Sequence, residues 1–230
     1  MNRGILYGVG VGPGDPELMT VKAVRILTEC DVIAVPKAGE SEKTAQKIAA
    51  AYIADKPVLA CDMPMIRDKA RLDAAHDQAA DAICALLDAG KTVAFLTLGD
   101  PSVYSTYWYV HKRVRARGYD ARLVPGVPSF CAAAAALNVA LCEGSEMLHI
   151  VPASHQATEE GLDLPGSKVL MKAGKSILDV RAALAARGQL DRAALVERCG
   201  MEGERVLRDL GTLDDPTGYF SIILVKEEPV

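Results

Sequence analysis

Along the first half of the chain, short apolar runs alternate with longer segments whose apolar positions recur every three or four residues, the pattern of strands separated by helices. The pattern predicts a strand over 5–10, after which the turn Gly12-Pro13-Gly14 delivers Asp15 as an N-cap with Pro16 at the first helical position. A helix to about residue 28 follows, with Leu18, Val21, Val24 and Leu27 as its buried stripe and Lys22, Arg25 and Glu29 facing water. Next come a strand over 32–35, a helix near 44–54 and a strand over 58–60. A long helix carrying Leu72, Ala75, Ala79, Ile83 and Leu86 on one face then ends at Gly90. The run 93–98 is apolar throughout, as a strand covered on both faces requires, and Gly99-Asp100-Pro101 turns it into a helix that ends at Gly118.

After a strand over 121–124, Pro125-Gly126-Val127-Pro128 cannot continue any regular element, and an alanine-rich helix over 129–137 opens the second half. Strands are expected over 148–151, 168–171, 194–197 and 220–225, with a helix over 177–187. The last strand follows a turn at 214–218 without a crossover helix, so this sheet is expected to be mixed. The fold class is α/β, with an N-terminal domain over 1–124 built on a largely parallel sheet and a C-terminal domain over 125–230.

Composition narrows the function. With 230 residues, 50% hydrophobic and 24% charged, the chain is neither disordered nor low-complexity. Lys plus Arg number 26 against 30 Asp plus Glu, a net charge of -4, so no global field draws it to nucleic acid or anionic lipid. A polyanionic substrate therefore needs a local basic patch. The longest apolar run, 130–137, is too short to span a membrane, and the polar start leads directly into a strand pattern, so a cytoplasmic location and no membrane partner are expected. Six cysteines include no CxxC pair and are expected to be buried thiols.

Three segments are candidates for chemistry. The glycine-dense run Gly8-Val9-Gly10-Val11-Gly12-Pro13-Gly14 fails the GxGxxG spacing in every register, and Asp15 and Glu17 would repel a phosphate. A GxGxG cofactor loop of the Rossmann methyltransferase kind would need its leading acid at Leu6. A tight turn is the plainer use. Asp100, at the carboxyl end of a buried strand, is placed either to bind a hydroxyl or ammonium group or to cap a helix ahead of Pro101. Behind the proline-bracketed hinge, five consecutive alanines suit close approach of a flat ligand or of another helix, packing being the commoner use. There is no P-loop, HExxH or GxSxG, and His76, His111, His149 and His155 lack metal-ligand spacing, so no metal is expected and each reads as a surface or capping residue. The basic stretch 111–117 reads as the solvated end of a helix.

Taken together, GVGVGPGDPELMTVKAVRIL, LTLGDPSVYSTYWYV, VPGVPSFCAAAAALN, VERCGMEGERV and YFSIILV resemble the tetrapyrrole (corrin/porphyrin) methylase family over nearly the whole chain, most closely its precorrin-2 C20-methyltransferase branch. The resemblance implies a homodimer of two-domain α/β protomers with S-adenosylmethionine in the cleft between the domains and a tetrapyrrole, precorrin-2 or cobalt-precorrin-2, as substrate. Carried over segment by segment, it implicates Pro13, Gly99, Asp100, Val103, Pro128, Ser129, Phe130, Met171 and Gly200 in cofactor binding. Pro128 departs from the pair of small hydroxyl residues usual at the hinge. Uroporphyrinogen-methylating relatives place an acidic residue, a proposed base, where this chain has Pro36, so no catalytic base is named. The substrate's eight carboxylates call for cations, and Lys37, Arg67, Lys69 and Arg71 fall near loops that reach the cleft rim; Tyr104 is a stacking candidate. Competing readings are a relative acting on another corrin position, RNA or a modified protein residue, a small-molecule sensor without turnover, and a nicotinamide-dependent oxidoreductase. The acidic balance disfavours nucleic acid, and the failed glycine registers disfavour the last.

Overall fold

The computed structural model describes residues 3–37, 40–64, 66, 68–153 and 157–229. The chain divides into two compact units, Met1–Pro128 and Ser129–Val230, so the hinge residues 125–128, which the sequence pattern assigned to the second half, group with the first.

In the first unit the strands β1 (Leu6–Gly10), β2 (Val32–Pro36), β3 (Val58–Cys61), β4 (Val93–Thr97) and β5 (Ala121–Val124) form one sheet in the order β3-β2-β4-β1-β5. All its pairings are parallel. Its helices are α1 (Val21–Glu29), α2 (Glu40–Ile53), α3 (Lys69–Asp88) and α4 (Tyr107–Ala116). Alternate strand residues feed two separate apolar clusters. Leu6, Val32, Val93 and Phe95 pack with Ile83 and Leu87 of α3 and Tyr107 and Val110 of α4. Val9, Ile33, Ala94 and Leu96 pack with Ile26 and Leu27 of α1 and Ile48 and Ala49 of α2. Helices therefore cover both faces, which is why these strands read as continuous apolar runs.

Two helix starts differ from the sequence reading. Asp15 caps only a 3₁₀ turn, Pro16–Leu18, its carboxylate accepting the Glu17 N–H at 2.8 Å. The α-helix begins after Thr20, whose hydroxyl accepts the Ala23 N–H at 3.1 Å, a cap contributing about 1 kcal/mol. The buried face of α1 is Ala23, Ile26 and Leu27, while Val21 is 88% exposed. A strict three-residue repeat drifts around a helix of 3.6 residues per turn, so the stripe inferred from Leu18, Val21, Val24 and Leu27 cannot stay on one face. Likewise α4 starts at Tyr107 rather than after Asp100, because 101–106 form turns that the Asp100 and Ser105 side chains satisfy.

The second unit contains α5 (Ser129–Leu137), β6 (Leu148–Pro152), α6 (Ala157–Leu162), β7 (Ser167–Met171), α7 (Ile177–Ala186), β8 (Ala193–Glu197), β9 (Arg205–Leu207) and β10 (Ser221–Val225). The sheet order is β6-β7-β10-β8-β9. Strands β6 and β7 are parallel and every other pairing is antiparallel, so the sheet is mixed as expected. Leu170, Leu195, Ile223 and Val225 pack under Ile177, Val180 and Leu184 of α7, while α5, with Ala132, Ala133 and Ala134 buried, packs against β10 and β8. Its alanines serve packing. The short elements α6 and β9 escaped the sequence pattern because neither completes a readable period.

The cysteine expectation holds for Cys30, Cys61 and Cys84, which are buried, and fails for Cys131 and Cys142, which are exposed. Cys131 follows Phe130 on α5 and falls on its outward side. His76 is also not a surface residue: it is 2% exposed, its ring stacked on Tyr109 with centroids 4.6 Å apart. His155 lies outside the described residues. The basic end of α4 is paired rather than merely solvated: Arg113 meets Asp73 and Asp77, and Arg117 meets Asp77 and Asp81, all on α3.

Candidate functional site

In the first unit the crossover from β1 runs to β2 through α1 on one face of the sheet, and that from β4 runs to β5 through α4 on the other. The connections diverge between the neighbouring strands β1 and β4, and a crevice opens outside the carboxyl ends of strands where they do so. The loops bordering it are 11–20 after β1, 98–106 after β4 and the hinge 125–128 after β5.

Glycine makes this convergence possible. Gly12 and Gly99 form an isolated bridge, Gly99 N–H donating to Gly12 O at 2.8 Å and Gly12 N–H to Gly99 O at 3.3 Å. A Cβ on Gly10 would lie 2.6 Å from Gly99 O and 2.7 Å from Gly126 N, and one on Gly126 would lie 2.2 Å from Gly99 O. Three strand ends thus meet backbone to backbone, which no larger residue allows. The glycine-dense run is a close-packing device, and Gly126, read from sequence only as a turn residue, is an equal partner in it.

Asp100 ties the loops together. Its Oδ1 accepts the Ser102 N–H at 2.7 Å and the Ser102 hydroxyl, and its Oδ2 accepts the Gly126 N–H at 2.9 Å. The carboxylate is half-buried, and among the described residues it makes no ion pair. Thr20 adds a second link, its hydroxyl donating to Pro125 O at 3.3 Å. Pro13 is buried in the first loop, and Val103 closes a turn through its N–H to Asp100 O at 3.2 Å. Tyr104 follows at φ 48°, 46% exposed, a left-handed conformation costing about 1–2 kcal/mol for a side-chain-bearing residue.

The cation candidates divide. Lys37 follows β2, the neighbour of β4 on the same sheet edge, and is exposed. Lys69 and Arg71 are exposed on the first turn of α3, after the loop leaving β3. Arg67 lies outside the described residues. Pro36 ends β2 and is buried, with no titratable group to offer at that strand end.

In the second unit, Ser129 and the buried Phe130 start α5. Met171 ends β7, its carbonyl accepting the Ala153 N–H at 2.7 Å. Gly200 follows β8 at φ 70° and donates its N–H to the Glu204 carboxylate at 2.6 Å. Since β7 and β8 are both antiparallel to β10, Met171 and Gly200 share one sheet edge. Among the described residues no group of three or more His, Cys, Asp or Glu is placed to hold a metal ion, and no helix is long and apolar enough to cross a membrane.

Comparison with known proteins matches the model of the tetrapyrrole (corrin/porphyrin) methylases over residues 5–214. The chain is 35% identical to the precorrin-2 C(20)-methyltransferase of a Sinorhizobium species, covering 98% of each chain. It is 34% identical to the cobalt-precorrin-2 C(20)-methyltransferase of Salmonella typhimurium, again over 98% of each. It is 36% identical to the cobalamin biosynthesis protein CobIJ of Mycobacterium bovis over 97% of its own length but spans only 46% of that protein. Among solved structures, a cobalt precorrin-4 methyltransferase superposes with a TM-score of 0.74 at 22% identity, covering 96% of this chain and 94% of that one. The uroporphyrin-III C-methyltransferase of Thermus thermophilus complexed with S-adenosylhomocysteine does so with a TM-score of 0.71 at 21% identity, covering 97% and 98%. These two likenesses establish the fold.

Proposed function

Since the chain belongs to the tetrapyrrole (corrin/porphyrin) methylase family, we propose that it is an S-adenosylmethionine-dependent methyltransferase that methylates C20 of precorrin-2 or cobalt-precorrin-2 in cobalamin biosynthesis. The observation that carries this reading is near-full-length identity to relatives named for that reaction with each form of the substrate.

The residues on the first sheet's rim suit the donor. A half-buried carboxylate at Asp100 without an ion-pair partner among the described residues fits a ligand that carries positive charge, and the close backbone contact of Gly10 and Gly126 with Gly99 holds the loop that carries it in place. Pro13, Gly99, Asp100 and Val103 with Pro128 in the first unit, and Ser129, Phe130, Met171 and Gly200 in the second, are the positions assigned to it. Bound there, S-adenosylmethionine supplies an electrophilic methyl group on a cationic sulfur.

The chain's own residues then have two tasks. Asp100 and the hinge fix the donor, while Lys37, Arg67, Lys69 and Arg71 draw in the substrate carboxylates and Tyr104 offers a ring to either ligand. No residue is assigned as base: Pro36 has no proton to exchange, and an electron-rich meso carbon would take the methyl group as its bond to sulfur breaks, leaving the thioether, and would give up its own proton to water only afterwards. Rate enhancement comes from in-line positioning and exclusion of water, which are large terms without an acid or base. The same reading makes the working form a cytoplasmic homodimer.

The experiment incubates the protein anaerobically with methyl-labelled S-adenosylmethionine and either precorrin-2 or its cobalt complex. Labelled trimethylated product bearing the methyl at C20 is expected. Cofactor binding without transfer to either substrate would instead make the protein a sensor.

A further inference from the structure

Among the described residues, four other than glycine have positive φ: Tyr104, Asn138, Lys172 and Arg198. Asn138 follows the last turn of α5, where asparagine commonly ends a helix. Lys172 and Arg198 have no such reason. They occupy φ 61° and 55° directly after β7 and β8, and strain held at neighbouring positions in this way is concentrated at ligand sites.

Their placement is specific. Ile222 of β10 pairs with Met171 on one side and Val196 on the other. The backbones of the two residues therefore flank the start of β10 two strand spacings apart, about 10 Å. Between them, preceding β10, stands Tyr219, 52% exposed with its ring edge-on to Phe220. The three segments are locked to one another. A Cβ on Gly174 would lie 2.7 Å from Gly218 O, the Gly218 N–H donates to Glu197 Oε1 at 2.5 Å, and the Arg198 N–H donates to Phe220 O at 2.8 Å. Beside Arg198, Glu197 pairs with Arg205 at 3.0 Å and Glu204 accepts the Gly200 N–H. Arg198 is exposed, its Nε donates to Glu202 O at 2.8 Å, and among the described residues it makes no ion pair.

We infer that Lys172, Tyr219 and Arg198 form a recognition platform for a flat polycarboxylate, the exposed ring meeting the macrocycle and the two cations meeting separate carboxylates on its rim. The inference rests on the proposed function and assigns substrate recognition to residues of the second unit that no resemblance named. Two cations held apart on different strands suit a ligand with several carboxylates, rather than the single carboxylate of the methyl donor.

The left-handed backbone supplies the test. Glycine accepts this conformation without penalty, so the Lys172→Gly/Arg198→Gly protein removes both charges and relieves strain together. Uroporphyrin III, an octacarboxylate tetrapyrrole, is titrated by fluorescence quenching, and S-adenosylhomocysteine by calorimetry. The expected result is a melting temperature equal to or above wild type, uroporphyrin affinity reduced more than tenfold and S-adenosylhomocysteine affinity within twofold of wild type. Should the glycine pair fold poorly, Lys172→Asn/Arg198→Asn, which also tolerates positive φ, is read in the same way. Unchanged uroporphyrin affinity, absence of uroporphyrin binding by wild type, or an equal loss of S-adenosylhomocysteine affinity overturns the platform. A wild-type chain that binds uroporphyrin through these residues yet never methylates precorrin-2 supports the platform and strikes the proposed function instead.

Discussion

Asp100 holds the Gly126 N–H at 2.9 Å across 26 positions of sequence, joining the loop after β4 to the hinge after β5. Because its other oxygen holds Ser102, the carboxylate works as a clamp and as a negative charge at once. Asp100→Asn removes the charge and turns one NH2 against a backbone donor. Hydrogen bonds to charged groups contribute about 1.5–3 kcal/mol, so affinity for S-adenosylhomocysteine is expected to fall roughly 10- to 100-fold by calorimetry. Ligand affinity equal to wild type in a folded variant would remove Asp100 from the site.

The glycine junction makes a separate prediction. Gly126→Ala drives a methyl group to 2.2 Å from Gly99 O with backbone on every side, an overpacking cost of about 1–3 kcal/mol or more. Gly118→Ala meets nothing within 4 Å but sits at φ 82°, so it costs only the left-handed penalty of about 1–2 kcal/mol. Thermal melts should therefore rank Gly126→Ala as equal or worse in stability. Only Gly126→Ala should also lose S-adenosylhomocysteine binding, because Gly118 precedes β5, at the edge of the parallel sheet opposite the carboxyl ends of its strands.

Helix α1 offers a stability contrast. Ile26 is 5% exposed and Val21 88% exposed, so Ile26→Ala should cost about 2–4 kcal/mol and Val21→Ala no more than about 0.5 kcal/mol. Equal melting temperatures for the two would restore the three-residue stripe.

That contrast marks how far local pattern reaches. The parallel strands β1, β2 and β4 were legible because both their faces are buried, and β4 needed only its unbroken apolar run. Asp100 was legible as a strand-end carboxylate. Its partner was not, since a cap ahead of Pro101 and a clamp on Gly126 look alike in a nine-residue window. Gly10 and Gly126 matter through mutual approach, which only tertiary structure reveals. Lys172 and Arg198 were invisible for a different reason: positive φ is signalled by glycine or asparagine, and long cations there run against propensity.

The last prediction concerns acid. His76 is buried beneath Tyr109, its Nδ1 has no hydrogen-bond partner among the described residues, and its pKa lies below the usual imidazole value, first through burial and then through the Arg113 guanidinium; Asp73 and Asp77 pull the other way. His111 is lowered too, by burial and then by Arg115. Both rings therefore bind protons less readily in the fold than in the unfolded chain, which takes them up as pH falls through about 6.5. The unfolded state then binds more protons, so stability is full above that value and declines as pH drops towards the folded pKa. Carboxylates held below their ordinary range, such as Glu146 beside Ser167 and Lys226, act only at lower pH. His76→Phe keeps the aromatic stack and removes the titrating group and the orphaned nitrogen. Its melting temperature at pH 7.5 should equal or exceed wild type, and its loss between pH 7.5 and 5.5 should be smaller than that of wild type, with His111 still contributing. Parallel pH profiles for the two proteins would place the acid sensitivity elsewhere.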